Sequence, residues 1–205
     1  MHMKPVLVAF DLEGVFTPEI WIAVAEATGI PSLRLTTRDV SDYDLLMRGR
    51  LQTLQEHGLK LADIQRVIGT LSPLPGARAF IDAMRARFPL IILSDTYQEF
   101  AGPLMEKLGW PTLLCNSLAC DADGNVVGYQ LRLRDGKRRA VSSFKELGYR
   151  VVACGDSFND TAMLGEADLG ILFRPSDKVR HEFPHFPVAE TYDALTRHVD
   201  AFVGR

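Results

Sequence analysis

Five apolar residues, Val6 to Phe10, run without interruption into Asp11, and this junction constrains the fold more than any other stretch. A short continuous apolar run reads as a strand buried on both faces, as in a parallel sheet. Asp11 then stands at the strand's carboxyl end, where open α/β sheets place their ligands. Glu13 follows two residues later, and Gly14 lets the chain turn away. Three later pieces answer this one: Ser94 closing Ile91-Ile-Leu, a lone Lys137 before a helical stretch, and Gly155-Asp156-Ser-Phe-Asn159-Asp160 after the apolar run ending at Cys154.

Between the first two pieces the pattern is helical. Thr17-Pro18-Glu19 reads as a helix start, with Thr17 as N-cap and Pro18 at the first helical position, and Gly29 as the stop near Ala27. A second helix spans about 42–56 and ends at Gly58; a third runs about 61–71, with Leu61, Ile64 and Ile68 at helical spacing. From Pro73 on, the rhythm alternates: helices near 76–87, 98–108, 138–147 and 159–166, strands at 90–93, 112–115, 150–154 and 168–173, and a last helix near 191–203. Asp121-Ala-Asp-Gly-Asn125 is a turn signal between the strand at 112 and a return strand from Val126 to Leu133. The tail carries prolines at 175, 184 and 187. Alternation of this kind predicts an α/β fold with a parallel sheet. Residues 1–15 and 73–205 form its core, and the insertion 16–72 caps the carboxyl edge.

At 205 residues the chain is one domain with an insertion, and a net charge of −3 without a long basic run argues against nucleic acid as partner. No run approaches the roughly 20 apolar residues of a membrane helix. Cys115, Cys120 and Cys154 lack metal or redox spacing, which suits reduced thiols in a cytoplasmic protein. Trp21 and Trp110 read as packing residues, and the five histidines as surface.

If the strands before Asp11, Ser94 and Asp156 are neighbours, their side chains meet at one edge. Asp11 and Asp156 offer hard oxygen ligands suited to Mg2+, Ser94 can donate to a phosphate oxygen, and Lys137 can add positive charge. Asp11 is the candidate nucleophile, with Glu13 beside it as acid and base.

These motifs, in this order, resemble the haloacid dehalogenase superfamily of phosphatases. Within it the chain is most similar to phosphoserine phosphatases. It is closest to the branch that also transfers phosphate to homoserine, which shares Asp11-Leu-Glu-Gly14, Pro18 to Ala23 and Ile92 to Thr96. The resemblance implies a Rossmann-like parallel sheet core with an inserted helical cap of the C1 type. It implies Asp11 as nucleophile and Glu13 as acid/base, and a metal site of Asp11, the Glu13 carbonyl, Asp156 and Asp160, the last through water or from behind. Ser94, Asp95, Lys137 and Asn159 would hold the phosphate. Two departures stand out: most of the superfamily has Asp where Glu13 stands, and phosphoserine phosphatases have Ser-Gly-Gly where this chain has Ser94-Asp95-Thr96.

In the cap segment Arg50 shares a helical side with Tyr43, Met47 and Leu54. Such an arginine can snorkel to solvent or clamp a carboxylate with its fork. Glu19 and Arg50 together would suit a zwitterion, the amino-acid end of phosphoserine, and the resemblance adds Tyr43 and Met47 as an apolar lid. The expected partner is a small-molecule substrate, phosphoserine with homoserine as a second acceptor, on a monomer or homodimer. The alternatives are a capped phosphatase for another small phosphate ester, and a phospho-accepting signalling domain that turns nothing over.

Overall fold

The computed structural model of the chain describes residues 4–36, 39–40 and 42–204. β1 (Val6–Phe10) is buried at every residue and leads into three helices, α1 (Ile20–Thr28), α2 (Tyr43–Glu56) and α3 (Leu61–Thr70). The chain then alternates through α4 (Ala77–Arg85), β2 (Leu90–Tyr97), α5 (Gln98–Lys107), β3 (Thr112–Cys120), β4 (Val126–Gln130), α6 (Gly136–Glu146) and β5 (Arg150–Gly155). It closes with α7 (Thr161–Glu166), β6 (Leu169–Phe173), α8 (Asp177–Glu182), β7 (Val188–Ala189) and α9 (Tyr192–Val203). Among the described residues no helix is long and apolar enough to cross a membrane.

One sheet, ordered β4-β3-β2-β1-β5-β6-β7, holds the fold together. All neighbours are parallel except β4, which returns antiparallel along β3. Side chains alternate across a strand, so β1 feeds two cores. Val8 and Phe10 pack with Phe80 and Met84 of α4 and Val199 of α9, while Leu7 and Ala9 pack with Val141 of α6 and Leu164 of α7. After β1 the chain builds outward through β2 and β3, then crosses back to lay β5 on the other side of β1. That reversal leaves a crevice at the carboxyl ends of β1 and β5.

A third apolar cluster joins the helical segment to the sheet layer. Ile20, Trp21 and Val24 of α1, Met47 and Leu54 of α2, and Ile64 and Ile68 of α3 pack with Tyr97 of β2, Phe100 and Leu104 of α5, and Leu118 and Val126 of the hairpin. Polar ties reinforce it. Lys107 Nζ donates to the Gly69 carbonyl at the end of α3 (2.7 Å), Gln65 Nε2 donates to the Glu99 carbonyl (2.8 Å), and the Leu61 N–H donates to the Gly124 carbonyl in the hairpin turn (3.0 Å). The Tyr129 hydroxyl of β4 donates to Asp44 of α2.

Several boundaries differ from the sequence expectation, each for a physical reason. α1 begins at Ile20 rather than at Thr17-Pro18, because the Glu13 carboxylate, and not Thr17, accepts the first helical N–H, from Ile20 at 2.8 Å. α6 begins at Gly136, so Lys137 lies in its first turn rather than before it. β2 and β3 run past 93 and 115: the two pair again at Tyr97 and Asn116 after a register shift, and β3 continues to Cys120 by antiparallel pairing with β4. The tail holds α8 and β7, the latter recruited by parallel pairing with β6. Trp110 is 65% exposed at a turn with φ 53°, whereas Trp21 is buried.

Candidate active site

The strand ends bring the acidic residues together. The Asp11 N–H donates to the Cys154 carbonyl at 2.9 Å, which seats Asp11 at the β1–β5 crevice. Asp11 Oδ1 accepts the Leu12 N–H at 2.8 Å and lies 2.9 Å from Lys137 Nζ. The same ammonium donates to Asp160 Oδ1 at 2.8 Å and stands 3.8 Å from Asp95. Asp160 is fully buried, and its Oδ2 accepts the N–H groups of Asp156 (3.0 Å) and Ser157 (3.1 Å). Asp156 packs over Gly14, which has φ +77°. A Cβ there would stand 2.5 Å from Asp156 Cγ, so both the turn and the close approach require glycine.

The electrostatics follow from burial. Burial raises Asp11 well above the ordinary carboxylate range; Asp160 and Asp156 push the same way, and Lys137 opposes them. Burial would strip Lys137 of its proton, but Asp11, Asp160 and Asp95 together outweigh it and hold the ammonium well above its usual range. Asp11, Asp156 and Asp160 each offer an oxygen, all within 4.8 Å of one another. An all-oxygen, carboxylate-rich set of this kind fits a small hard cation such as magnesium. Asp160, with both oxygens already engaged, fits a supporting place better than a direct one.

Glu13 lies across from this cluster. Burial, and then the charge of Glu19, push its carboxyl up to about 8, against the Ile20 N–H, Arg50 and Lys137. Beyond it stands a wall from the inserted helices. Arg50 is buried; Nη2 donates to the Leu35 carbonyl at 2.7 Å and Nη1 reaches the Met47 sulfur at 3.6 Å. Its guanidinium lies over the Trp21 ring, 4.5 Å from the centroid, and Nε has no hydrogen-bond partner among the described residues. The Tyr43 and Tyr97 hydroxyls bond at 2.7 Å, tying α2 to β2.

A cavity of about 100 Å³ results. Asp11, Glu13, Ser94, Asp95, Lys137, Asp156 and Asn159 line its floor, and Glu19, Tyr43 and Arg50 its wall. Ser94 Oγ accepts the Thr96 N–H at 3.1 Å, and Asn159 Nδ2 donates to Asp95 at 3.2 Å. Asp160 and Met47 lie behind this lining, against Lys137 and Arg50 respectively. Trp21, Thr36, Leu46, Thr96 and Ser157 line it without having been singled out from the sequence for the site. Thr96 and Ser157 sat inside the motifs already read, and Trp21 sits two residues after Glu19; adjacency was the available signal. A more open cavity of about 600 Å³ shares Tyr43, Asp95, Lys137 and Asn159 with the first.

Residues 6–168 match the family model described as haloacid dehalogenase-like hydrolase. A phosphoserine phosphatase of Pseudomonas syringae pv. tomato is 60% identical over 191 residues, covering 93% of this chain and 81% of that protein. The phosphoserine phosphatase ThrH of Pseudomonas aeruginosa is 59% identical, covering 93% of each. Among solved structures, a phosphoserine phosphatase captured as an analogue of its phospho-aspartyl intermediate superposes with a TM-score of 0.71 at 20% identity, over 91% of this chain and 93% of that one.

Proposed function

The chain belongs to the haloacid dehalogenase-like hydrolases, and within that family we propose that it hydrolyses O-phosphoserine with magnesium through a phosphoaspartyl intermediate on Asp11. The carrying observation is the Lys137 ammonium bonded at once to Asp11 and Asp160 on the floor of a cavity that Glu13 also lines.

The Leu12 N–H and Lys137 engage Asp11 Oδ1, so Oδ2 is the attacking oxygen. Its bond to phosphorus forms as the bond to the seryl oxygen breaks, and Glu13 gives that oxygen its proton. Serine leaves. The Glu13 carboxylate then takes a proton from water, whose oxygen attacks phosphorus and returns Asp11 as a carboxylate. Lys137, Ser94 and Asn159 hold the other phosphoryl oxygens while charge develops. Magnesium, held by Asp11, the Glu13 carbonyl and Asp156 with Asp160 in support, would offset the repulsion among the carboxylates and polarise the phosphate.

Residues 16–72 act as a cap over a core of 1–15 and 73–205. Glu19 takes the substrate ammonium and Arg50 its carboxylate, with Tyr43 on the same wall and Met47 supporting Arg50. Transfer to homoserine is the second reading. The likeness to ThrH and the small capped cavity favour it, since a site that excludes water favours a bound alcohol as acceptor.

Incubation with O-phosphoserine and magnesium, with and without homoserine, tests both readings. Phosphate release is expected in each tube, and phosphohomoserine in the second if transfer operates. Cleavage of a generic aryl phosphate without phosphoserine turnover would discard the roles of Glu19 and Arg50.

A further inference from the structure

Arg50 is a buried cation on the cavity wall with part of its hydrogen-bonding capacity unfilled. One carbonyl and one weakly accepting sulfur take its Nη groups, and Nε, shielded from solvent, has no partner among the described residues. An arginine in that state relieves itself by swinging its head to water, unless something holds it. The Trp21 ring does the holding. Its face lies 4.5 Å from the guanidinium carbon, and it is itself fixed edge-on by Phe100 of α5, at 5.5 Å between centroids. A ring face attracts a desolvated guanidinium strongly. It is a partner that leaves the in-plane N–H groups free to donate.

We propose that Trp21 is a positioning residue: its ring carries the Arg50 guanidinium at the cavity wall, where it meets the carboxylate of an amino-acid phosphate. The proposal rests on the reading of Arg50 as the carboxylate clamp. Trp21 thereby selects monoesters that bear a free carboxylate over those that lack one, by removing the cost of ordering Arg50 when substrate binds.

The test compares O-phosphoserine with O-phosphoethanolamine, which differs by the carboxylate alone. In Trp21→Leu the KM for phosphoserine should rise about tenfold, the size of a desolvated cation–π contact. The KM for phosphoethanolamine should move much less, and Trp21→Phe, which keeps a ring face, should fall between wild type and Trp21→Leu. A second readout needs no turnover. In Asp11→Asn/Trp110→Phe, Trp21 is the sole tryptophan, and phosphoserine but not phosphoethanolamine should change its emission. Equal KM shifts for both substrates with a lowered Tm, or an emission change that ignores the carboxylate, would show Trp21 to be a packing residue and overturn the proposal. If Arg50→Ala leaves the ratio of the two KM values unchanged, the clamp reading fails and the proposal with it. If Arg50→Ala shifts the ratio and neither Trp21 variant does, only the proposal fails.

Discussion

The two sides of the cavity are built on opposite terms. On the floor the central charges are tied down: Lys137 bonds two carboxylates, and Asp160 takes two backbone N–H groups and the lysine. On the wall a guanidinium rests on a ring, with one nitrogen unpartnered among the described residues. The floor is organised before any ligand arrives, as stabilisation of developing charge requires. The wall leaves hydrogen-bonding capacity for the ligand to complete, which is how a polar site rejects molecules that lack the matching group.

The contrast can be broken first at the floor. Asp11→Asn should lower kcat by at least about a thousandfold, the scale of losing a nucleophile. Its melting temperature should change little, because the amide removes repulsion with Asp156 and Asp160 as well as one partner of Lys137. Full activity would remove Asp11 from the chemistry. Lys137→Met leaves Asp11 and Asp160 facing each other without the ammonium, and should cost about 3–5 kcal/mol in urea unfolding. A loss below about 1 kcal/mol would mean that the floor is not held by charge.

On the wall, Arg50→Ala should lower kcat/KM for phosphoserine about a hundredfold, the value of a charge-assisted bond to a carboxylate. A small aryl phosphate should be spared; equal losses on both would make Arg50 structural. The finest test lies between the two sides. Glu13 titrates near 8 in the folded chain against 4.5 as its ordinary value. Between those values the folded state keeps a proton that the unfolded state releases, so Glu13 makes the metal-free protein less stable as pH rises, its own share being at most about 1.4 kcal/mol per unit beside that of the raised Asp11. Glu13→Gln should flatten that slope in unfolding curves measured from pH 5 to 8, and an unchanged slope would assign it to another group.

The floor was largely legible in the sequence and the wall was not, because they rest on different kinds of information. Asp11, Ser94 and Asp156 each follow or end an apolar run, and a parallel sheet brings such ends together whatever the loops do. Lys137 and Asn159 came with the same motifs. On the wall, Arg50 was left open between snorkelling and clamping, since helical spacing shows which residues share a face but not what that face meets. Trp21 read as packing, and so it is on one side; its other side carries a cation supplied by α2. The start of α1 was misplaced because a carboxylate seven positions back competes with the local Thr-Pro signal. Trp110 looked like core by composition and lies at an exposed turn.

The third apolar cluster draws Ile20, Met47 and Ile64 of the inserted helices together with Tyr97, Phe100 and Leu104 of the sheet layer. Among the described residues the insertion therefore shares its interior with the sheet layer. Excised as a fragment, it would lose the partners that desolvate its apolar stripes, and the remainder would expose the flank of α5 to water. In engineering terms the segment is not an interchangeable module. Grafting it onto a relative's core would need matching replacements along α5 and the hairpin, and lineages that exchange substrates are expected to change single wall residues rather than trade whole lids.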